Sequence, residues 1–155
     1  MRSQRGDLDV VRKAVAAIFI CGSLGTATEL VLLEHTEGAW QLLPLVLIGV
    51  AALMLGGVAS LPRMATVRAF QAVMSLFIAS GVIGVALHYQ GNVEFEQELR
   101  PGATGTELVW EALKGATPTL APGTMILLGA LGLTYTYGHP AAKRPDNQQL
   151  GSPKE

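Results

Sequence analysis

One carboxylate stands inside an otherwise uncharged apolar stretch of this 155-residue sequence. Glu29 follows small residues at helical spacing, which predicts that it points toward neighbouring helices. A carboxylate removed from water must find a partner, reach a wet cavity or bind a proton. Glu29 is therefore a candidate proton or cation site. The alternative is a structural role, in which its carboxylate accepts a hydrogen bond from one of three residues: His88, Tyr89 or Gln90.

A second group of side chains has the chemistry of metal ligands. Two imidazoles and several carboxylates supply the donors that a divalent ion such as zinc prefers, and the candidate ligands are His35, His88, Glu94 and Glu96. Their spacing matches no HxxxH or ExxH motif, so a hydrated acidic surface is the alternative interpretation. No cofactor is predicted. A divalent metal ion stays open, whereas haem is disfavoured because His35 lies in a loop and His139 belongs to the other side of the membrane.

Several classes of function find no support in the residues. The sequence contains no nucleophile–base pair, phosphate-binding glycine loop or Cys-x-x-Cys motif. Cys21 is the single cysteine, so it forms no intramolecular disulfide. A net charge of −1 argues against a nucleic-acid partner. These features favour a non-enzymatic role, although they leave the enzyme question open.

Four apolar stretches must position the candidate residues. They cover about residues 14–33, 40–61, 69–89 and 118–137, each close to the roughly 20 residues that a helix needs to cross a bilayer. Only 15% of the residues are charged, against about 25% in soluble domains, and the mean hydropathy is +0.39. We therefore expect an all-α polytopic membrane protein, an up-down bundle of four transmembrane helices in a lipid bilayer.

The distribution of Lys and Arg predicts the orientation of these helices. Basic residues in short loops are retained on the cytoplasmic side. Nine of the eleven Lys and Arg residues lie before the first span, between the second and third spans, or after the fourth: Arg2, Arg5, Arg12, Lys13, Arg63, Arg68, Lys143, Arg144 and Lys154. Both termini are thus expected in the cytoplasm, in a membrane of the bacterial inner or plasma type. The first and third loops would lie outside.

The same pattern divides the chain into three parts. Residues 1–9 form a cytoplasmic N-terminal segment, residues 10–139 form the transmembrane domain, and the polar residues 140–155 form a disordered cytoplasmic tail. Cleavage of the first span as a secretory signal, after Gly25-Thr26-Ala27, is an alternative that would leave three spans.

Small residues recur at helical spacing in every span. Transmembrane helices associate where small side chains let backbones approach, so these stripes predict the faces that pack together. Their glycines are Gly22, Gly25, Gly49, Gly56, Gly81, Gly84, Gly129 and Gly132.

The third loop is long enough to form structure of its own. Thr104 and Glu107 match a capping box, which predicts a short helix over about residues 106–114 at the outer membrane interface. Thr117 and Pro118 suggest the N-cap and first residue of the fourth helix. Pro122 is expected to bend or delay that helix.

Three functions compete on these observations. The first is a non-enzymatic accessory or structural membrane protein, because the packing stripes are strong and the chemical motifs are weak. The second is a cation or proton transport component that uses Glu29. The third is a metal-binding or redox protein that uses His35 and His88. Other membrane proteins, or further copies of the same chain, stay open as partners.

Overall fold

The described part of the chain, residues 2–142 of a computed structural model, is helical. Five α-helices follow one another: α1 (Arg2–Leu32), α2 (Ala39–Ser60), α3 (Met64–Leu99), α4 (Gly105–Lys114) and α5 (Gly123–Thr136). A single 3-10 turn, Pro140–Ala142, comes after α5. The tail predicted to be disordered lies almost entirely outside the described residues.

Three of the helices are long and apolar enough to cross a membrane. They are α1 over Gly6–Leu32, α2 and α3, whereas α5 is apolar but has only 14 residues. The prediction of an all-helical chain is confirmed. Helices of this length and composition are compatible with a small membrane protein.

Two helices extend further than the apolar stretches. The segment before residue 10 is helical from Arg2 onward, and α3 continues through residues 90–99, which were expected to form a loop. Side chains one turn apart stabilise this extension, since Gln90 donates to Glu94 and Arg100 pairs with Glu96 at 2.6 Å. Pro101 follows Arg100, and a proline disfavours helical backbone at the residue before it. The extension therefore ends at Leu99.

Helix α5 begins later than residue 118. The prediction that Thr117 is its N-cap is wrong, because the Thr117 hydroxyl and backbone N–H donate to Asn92 Oδ1 at 2.5 and 3.1 Å. The chain then turns through Pro118 and Ala121, and the N-cap is Pro122. The predicted delay of this helix by Pro122 is thus confirmed. A segment without α-helix, residues 115–122, separates α4 from α5.

The core lies between α3 and the helices around it. Phe70, Met74 and Phe77 of α3 are fully buried, and Phe19 of α1 packs against both phenylalanines with ring centroids 6.1 Å apart. Tyr135 of α5 meets Phe70 edge-on. Apolar burial at these positions joins α1, α3 and α5.

Four of the stripe glycines lie where α3 and α5 touch. A Cβ added at Gly81 would lie within 3 Å of backbone atoms of Pro122 and Ile126, and one at Gly129 would lie 2.7 Å from the Met74 carbonyl oxygen. Gly84 meets Pro122, and Gly132 meets Met74. Gly22 of α1 contacts Leu128 of α5. The absence of side chains at these positions permits the close approach of the backbones.

The structure differs from the predicted stripes at three glycines. A Cβ at Gly25, Gly49 or Gly56 would meet no atom within 4 Å in the described chain. Helix α2 instead buries a face that includes Leu47 and Val58. That face lies about half a turn around the helix from Gly49 and Gly56. The larger side chains therefore fill the contact of α2, and its small-residue stripe stays exposed.

An arginine holds the C-terminal end of α5 against α1. Arg12 donates through Nη2 to the carbonyl oxygens of Tyr137 and Gly138 at 3.3 and 3.0 Å. These carbonyls lie at the end of a helix that carries partial negative charge, so a cation there is favourable. Arg12 was used above only as an orientation signal, and this contact was not anticipated.

Candidate functional site

A cavity of about 450 Å³ lies where α1 ends and α2 begins. Its walls come from the last turns of α1, the first turns of α2, the middle of α3 and the segment that leads into α5. Most of the surface is apolar, and small-molecule sites commonly combine such walls with a few polar groups. The polar side chains on the lining are Thr26, Glu29, His35, Gln41, Ser80, His88, Thr117 and Thr124.

The late start of α5 explains why this space exists. Thr117, Pro118, Ala121 and Pro122 form one wall, where a fully helical α5 would have packed on α3. The segment that contains Pro118 and Pro122 is therefore not α-helical and forms a wall of the cavity.

Glu29 lies on the cavity wall. Thr26, Glu29 and Leu30 share one face of α1, and this face forms the wall together with Leu33 just after the helix. The Glu29 side chain makes no hydrogen bond or ion pair with any of the described residues. Of the partners expected for it, His88 bonds to a backbone carbonyl and Gln90 donates to Glu94. Glu29 is thus an exposed residue of the cavity wall whose carboxylate has no partner among the described residues.

The two imidazoles also meet at this cavity. The rings of His35 and His88 have centroids 6.2 Å apart and planes inclined by 59°. His88 Nδ1 lies 3.1 Å from the carbonyl oxygen of Pro118. A carbonyl only accepts, so Nδ1 carries the proton of the neutral ring and Nε2 keeps a lone pair. This contact orients His88 with an acceptor nitrogen free.

The remaining candidate metal ligands lie elsewhere. Glu94 and Glu96 belong to the extension of α3, where Glu94 accepts from Gln90 and Glu96 pairs with Arg100. Neither glutamate is among the cavity residues. Within residues 2–142, no group of three or more His, Cys, Asp or Glu side chains is arranged to hold a metal ion. The structure thus brings His35 and His88 together without the glutamates, and the metal site stays a prediction.

Helix α4 packs against the extension of α3 beside the cavity. Arg100 contacts Glu96 of α3 and both Glu107 and Glu111 of α4. The hydrogen bond that Arg100 donates to Glu96 raises the pKa of Arg100, and the hydrogen bond from Lys114 lowers the pKa of Glu111. These charges hold the polar side of α4, while Ala112 is buried on α3.

Asn92 has a buried side-chain amide whose structural role the sequence did not predict. Its Nδ2 donates toward Ala112 O, Thr117 O and Thr119 Oγ1, all within 2.9 Å, and its Oδ1 accepts from Thr117. Gly115 packs on the same side chain, where a Cβ would not fit. The only signal was position, because Asn92 lies one helical turn after His88 on the same face. Asn92 thereby fixes the segment that forms the cavity wall.

Comparison with known proteins adds no relative, since no family model, no curated protein and no solved structure matches the chain. The helices and the cavity therefore define its class without help from homology. It is an all-helical protein with three helices compatible with a membrane location. A mostly apolar cavity that Glu29 lines is the candidate site in the described part of the chain.

Proposed function

We propose that the chain is a small integral membrane protein with a non-enzymatic, accessory role, in which α5 is the fourth transmembrane helix. Fourteen residues of helix cover only about 21 Å. The preceding segment extends this path, and α5 packs along α3 through Gly129 and Gly132. In this proposal residues 10–139 form one transmembrane domain. Its helices run up and down through the bilayer, and the chain termini lie in the cytoplasm.

The arrangement of α3 and α4 agrees with this orientation. Helix α3 is about 54 Å long, which exceeds the ~30 Å of hydrocarbon in a bilayer. We place its charged extension outside the membrane, with α4 beside it at the outer interface. Val109, Trp110 and Leu113 are exposed on α4, and Lys114 lies 5.6 Å from the Trp110 ring. Such a combination of apolar and basic side chains suits the headgroup region.

Within this membrane protein we assign a binding role to the cavity. The observation that carries the assignment is the Glu29 carboxylate, which lines about 450 Å³ of mostly apolar space without a partner among the described residues. Glu29 is exposed, so its carboxylate is accessible to a molecule that enters the cavity, and a positively charged or donor group of that molecule would pair with it. An acidic side chain within an apolar span is a candidate functional residue.

Mass spectrometry of the intact protein released from detergent tests the binding role. Wild-type protein is expected to retain a noncovalent small molecule, and Thr26→Phe is expected to lose it because the ring fills the cavity. Ala52→Phe is the matched control, since Ala52 is exposed on α2 away from the cavity. Equal occupancy in wild type and in Thr26→Phe would contradict the proposal.

A second candidate function is transport of a cation or proton through Glu29. It is favoured by the position of this carboxylate, which lines the cavity below a loop that carries Glu34 and Glu37. An acidic rim concentrates cations in front of the cavity. Because four helices provide few groups for a complete path, this version requires an oligomer.

Ion flux into proteoliposomes separates the two functions. Transport predicts measurable cation or proton uptake that Glu29→Gln abolishes and Glu37→Gln leaves intact. The accessory role predicts no uptake by the purified protein above that of empty liposomes. Uptake that Glu29→Gln leaves unchanged would rule out this transport mechanism.

A further inference from the structure

We infer that the cavity binds an organic cation with an apolar body, whose charged group pairs with Glu29. The inference rests on the proposed binding role and specifies the chemical class of the ligand. It follows from three features of the lining: its charge, its hydrogen-bonding groups and the shape of its apolar part.

The charge of the lining favours a cation. The described lining residues include one carboxylate, Glu29, and no Lys or Arg. An anionic ligand would therefore face Glu29 with no basic side chain on the cavity wall to compensate. A cation gains Coulomb attraction that increases as water is displaced from the apolar space.

The hydrogen-bonding groups point the same way. An ionised carboxylate only accepts, and in the neutral His88 ring the bond from Nδ1 to the Pro118 carbonyl leaves Nε2 as an acceptor. Trp40 also lines the cavity, and an indole face attracts organic cations. Acceptors and a π face together suit a ligand that carries positive charge and N–H or N-alkyl groups.

The apolar part of the cavity distinguishes an organic cation from a bare ion. Leu30, Leu33, Ile83, Leu87 and Met125 line it, and its volume of about 450 Å³ lies within the roughly 300–1,000 Å³ of small-molecule sites. A metal ion or proton would occupy a small fraction of this space. A hydrocarbon body of matching size would gain free energy by covering the apolar walls.

Binding of two probes of equal shape and opposite charge tests the inference. Full-length protein in neutral maltoside micelles is titrated by equilibrium dialysis with tetraphenylphosphonium and with tetraphenylborate, and protein-free micelles give the background. We expect saturable binding of one phosphonium per chain. Glu29→Gln should weaken it at least about tenfold, because the phosphonium loses its Coulomb attraction to the carboxylate. Glu37→Gln should leave it unchanged, because Glu37 does not line the cavity.

The outcomes separate the ligand class from the binding role. If both probes bind to wild-type protein, are excluded by Thr26→Phe and are insensitive to Glu29→Gln, the cavity binds small molecules and the cation assignment is overturned. If neither probe binds and wild-type protein holds no copurified molecule, the binding role fails as well. Preference for the borate probe would also overturn the inference.

A competition arm identifies the source of the cation. Lipid amines and free organic cations share the ammonium group and the apolar body. Phosphatidylethanolamine added to the micelles should displace the phosphonium if the natural ligand is an aminolipid, whereas phosphatidylglycerol at the same concentration serves as the control. Displacement by a soluble alkylammonium alone would assign the site to a free cation.

Discussion

Among individual residues, Asn92 is buried and makes several side-chain hydrogen bonds. It is 2% exposed, and its amide bonds to the carbonyl of Ala112 and to four groups of Thr117 and Thr119 in the segment before α5. A buried polar group without a partner costs about 1–3 kcal/mol. Removal of this side chain would leave the backbone N–H of Thr117 without its Asn92 acceptor, whereas the Ala112 carbonyl would keep its bond from Thr119.

Asn92→Ala is accordingly expected to lower the free energy of unfolding by about 1–3 kcal/mol. Thermal unfolding in detergent, followed by circular dichroism, measures the change. Gln90→Ala is the control, because Gln90 is exposed and makes one side-chain hydrogen bond, to Glu94. Equal unfolding temperatures for the two variants would show that Asn92 does not hold the segment.

His139 provides a pH-dependent contribution near the end of α5. Partial burial, and then the charge of Arg12, lower the pKa of His139 below its ordinary value of 6.5. Its Nδ1 also accepts the backbone N–H of Ala141 at 3.2 Å, a bond that protonation would remove. The folded protein therefore favours the neutral ring. The contribution of His139 to the free energy of unfolding is complete above pH 6.5 and decreases as the pH falls below that value.

The measurement is the unfolding temperature of wild type and of His139→Gln at pH 7.5 and 5.5. Wild-type protein is expected to lose more stability on acidification than His139→Gln, which lacks the titrating ring. A pH dependence of the same size in both proteins would show that His139 does not contribute.

Among the helices, only some of the faces made of small residues form helix–helix contacts. Gly81 and Gly129 let α3 and α5 approach until backbone atoms are the nearest neighbours, whereas Gly49 and Gly56 of α2 face away from the described helices. All four positions look alike in the sequence. Only the arrangement of the partner helices distinguishes them.

This difference predicts opposite effects of one substitution. Gly129→Ala should destabilise the protein by about 1–3 kcal/mol, because its Cβ would meet the Met74 carbonyl oxygen, which belongs to the backbone of α3. Gly49→Ala should be neutral or stabilising by up to about 1 kcal/mol, since the site is open and alanine favours helix. Unfolding of both variants in the same detergent gives the comparison. Similar losses in both would contradict the assignment of the contact.

The helices themselves were largely readable from the sequence, whereas their ends were not. Apolar stretches about 20 residues long correctly placed α1, α2 and α3, and the short helix α4 was also predicted correctly. Thr104 is its N-cap, but the predicted capping box does not form, because Thr104 makes no side-chain cap hydrogen bond and Glu107 bonds to Arg100. The extension of α3 escaped prediction because its residues are polar, and hydropathy detects a membrane span better than a helix. The N-cap of α5 was predicted wrongly because Thr117 bonds to Asn92, 25 residues earlier in the chain.

For the whole molecule, the proposed orientation makes a prediction about accessibility. In a Cys21→Ala background, a cysteine at Gly102 between α3 and α4 should react with a membrane-impermeant maleimide added to intact cells. A cysteine at Ala65, near the start of α3, should react only after the membrane is permeabilised. Both positions are exposed, so burial does not confound the labelling. The reverse pattern would invert the proposed topology.

The sequence by itself determined that the chain is helical and suited to a membrane, because transfer of apolar side chains from water is a property of each segment alone. It also indicated that Glu29, His35 and His88 belong near one end of the helices. Only the tertiary structure decided that these three residues line one cavity, while Glu94 and Glu96 pair elsewhere. The physical reason is that a cavity forms where segments distant in the sequence do not pack completely against one another. The shapes of their side chains and the hydrogen bonds between them determine its position, and neither can be read from one segment alone.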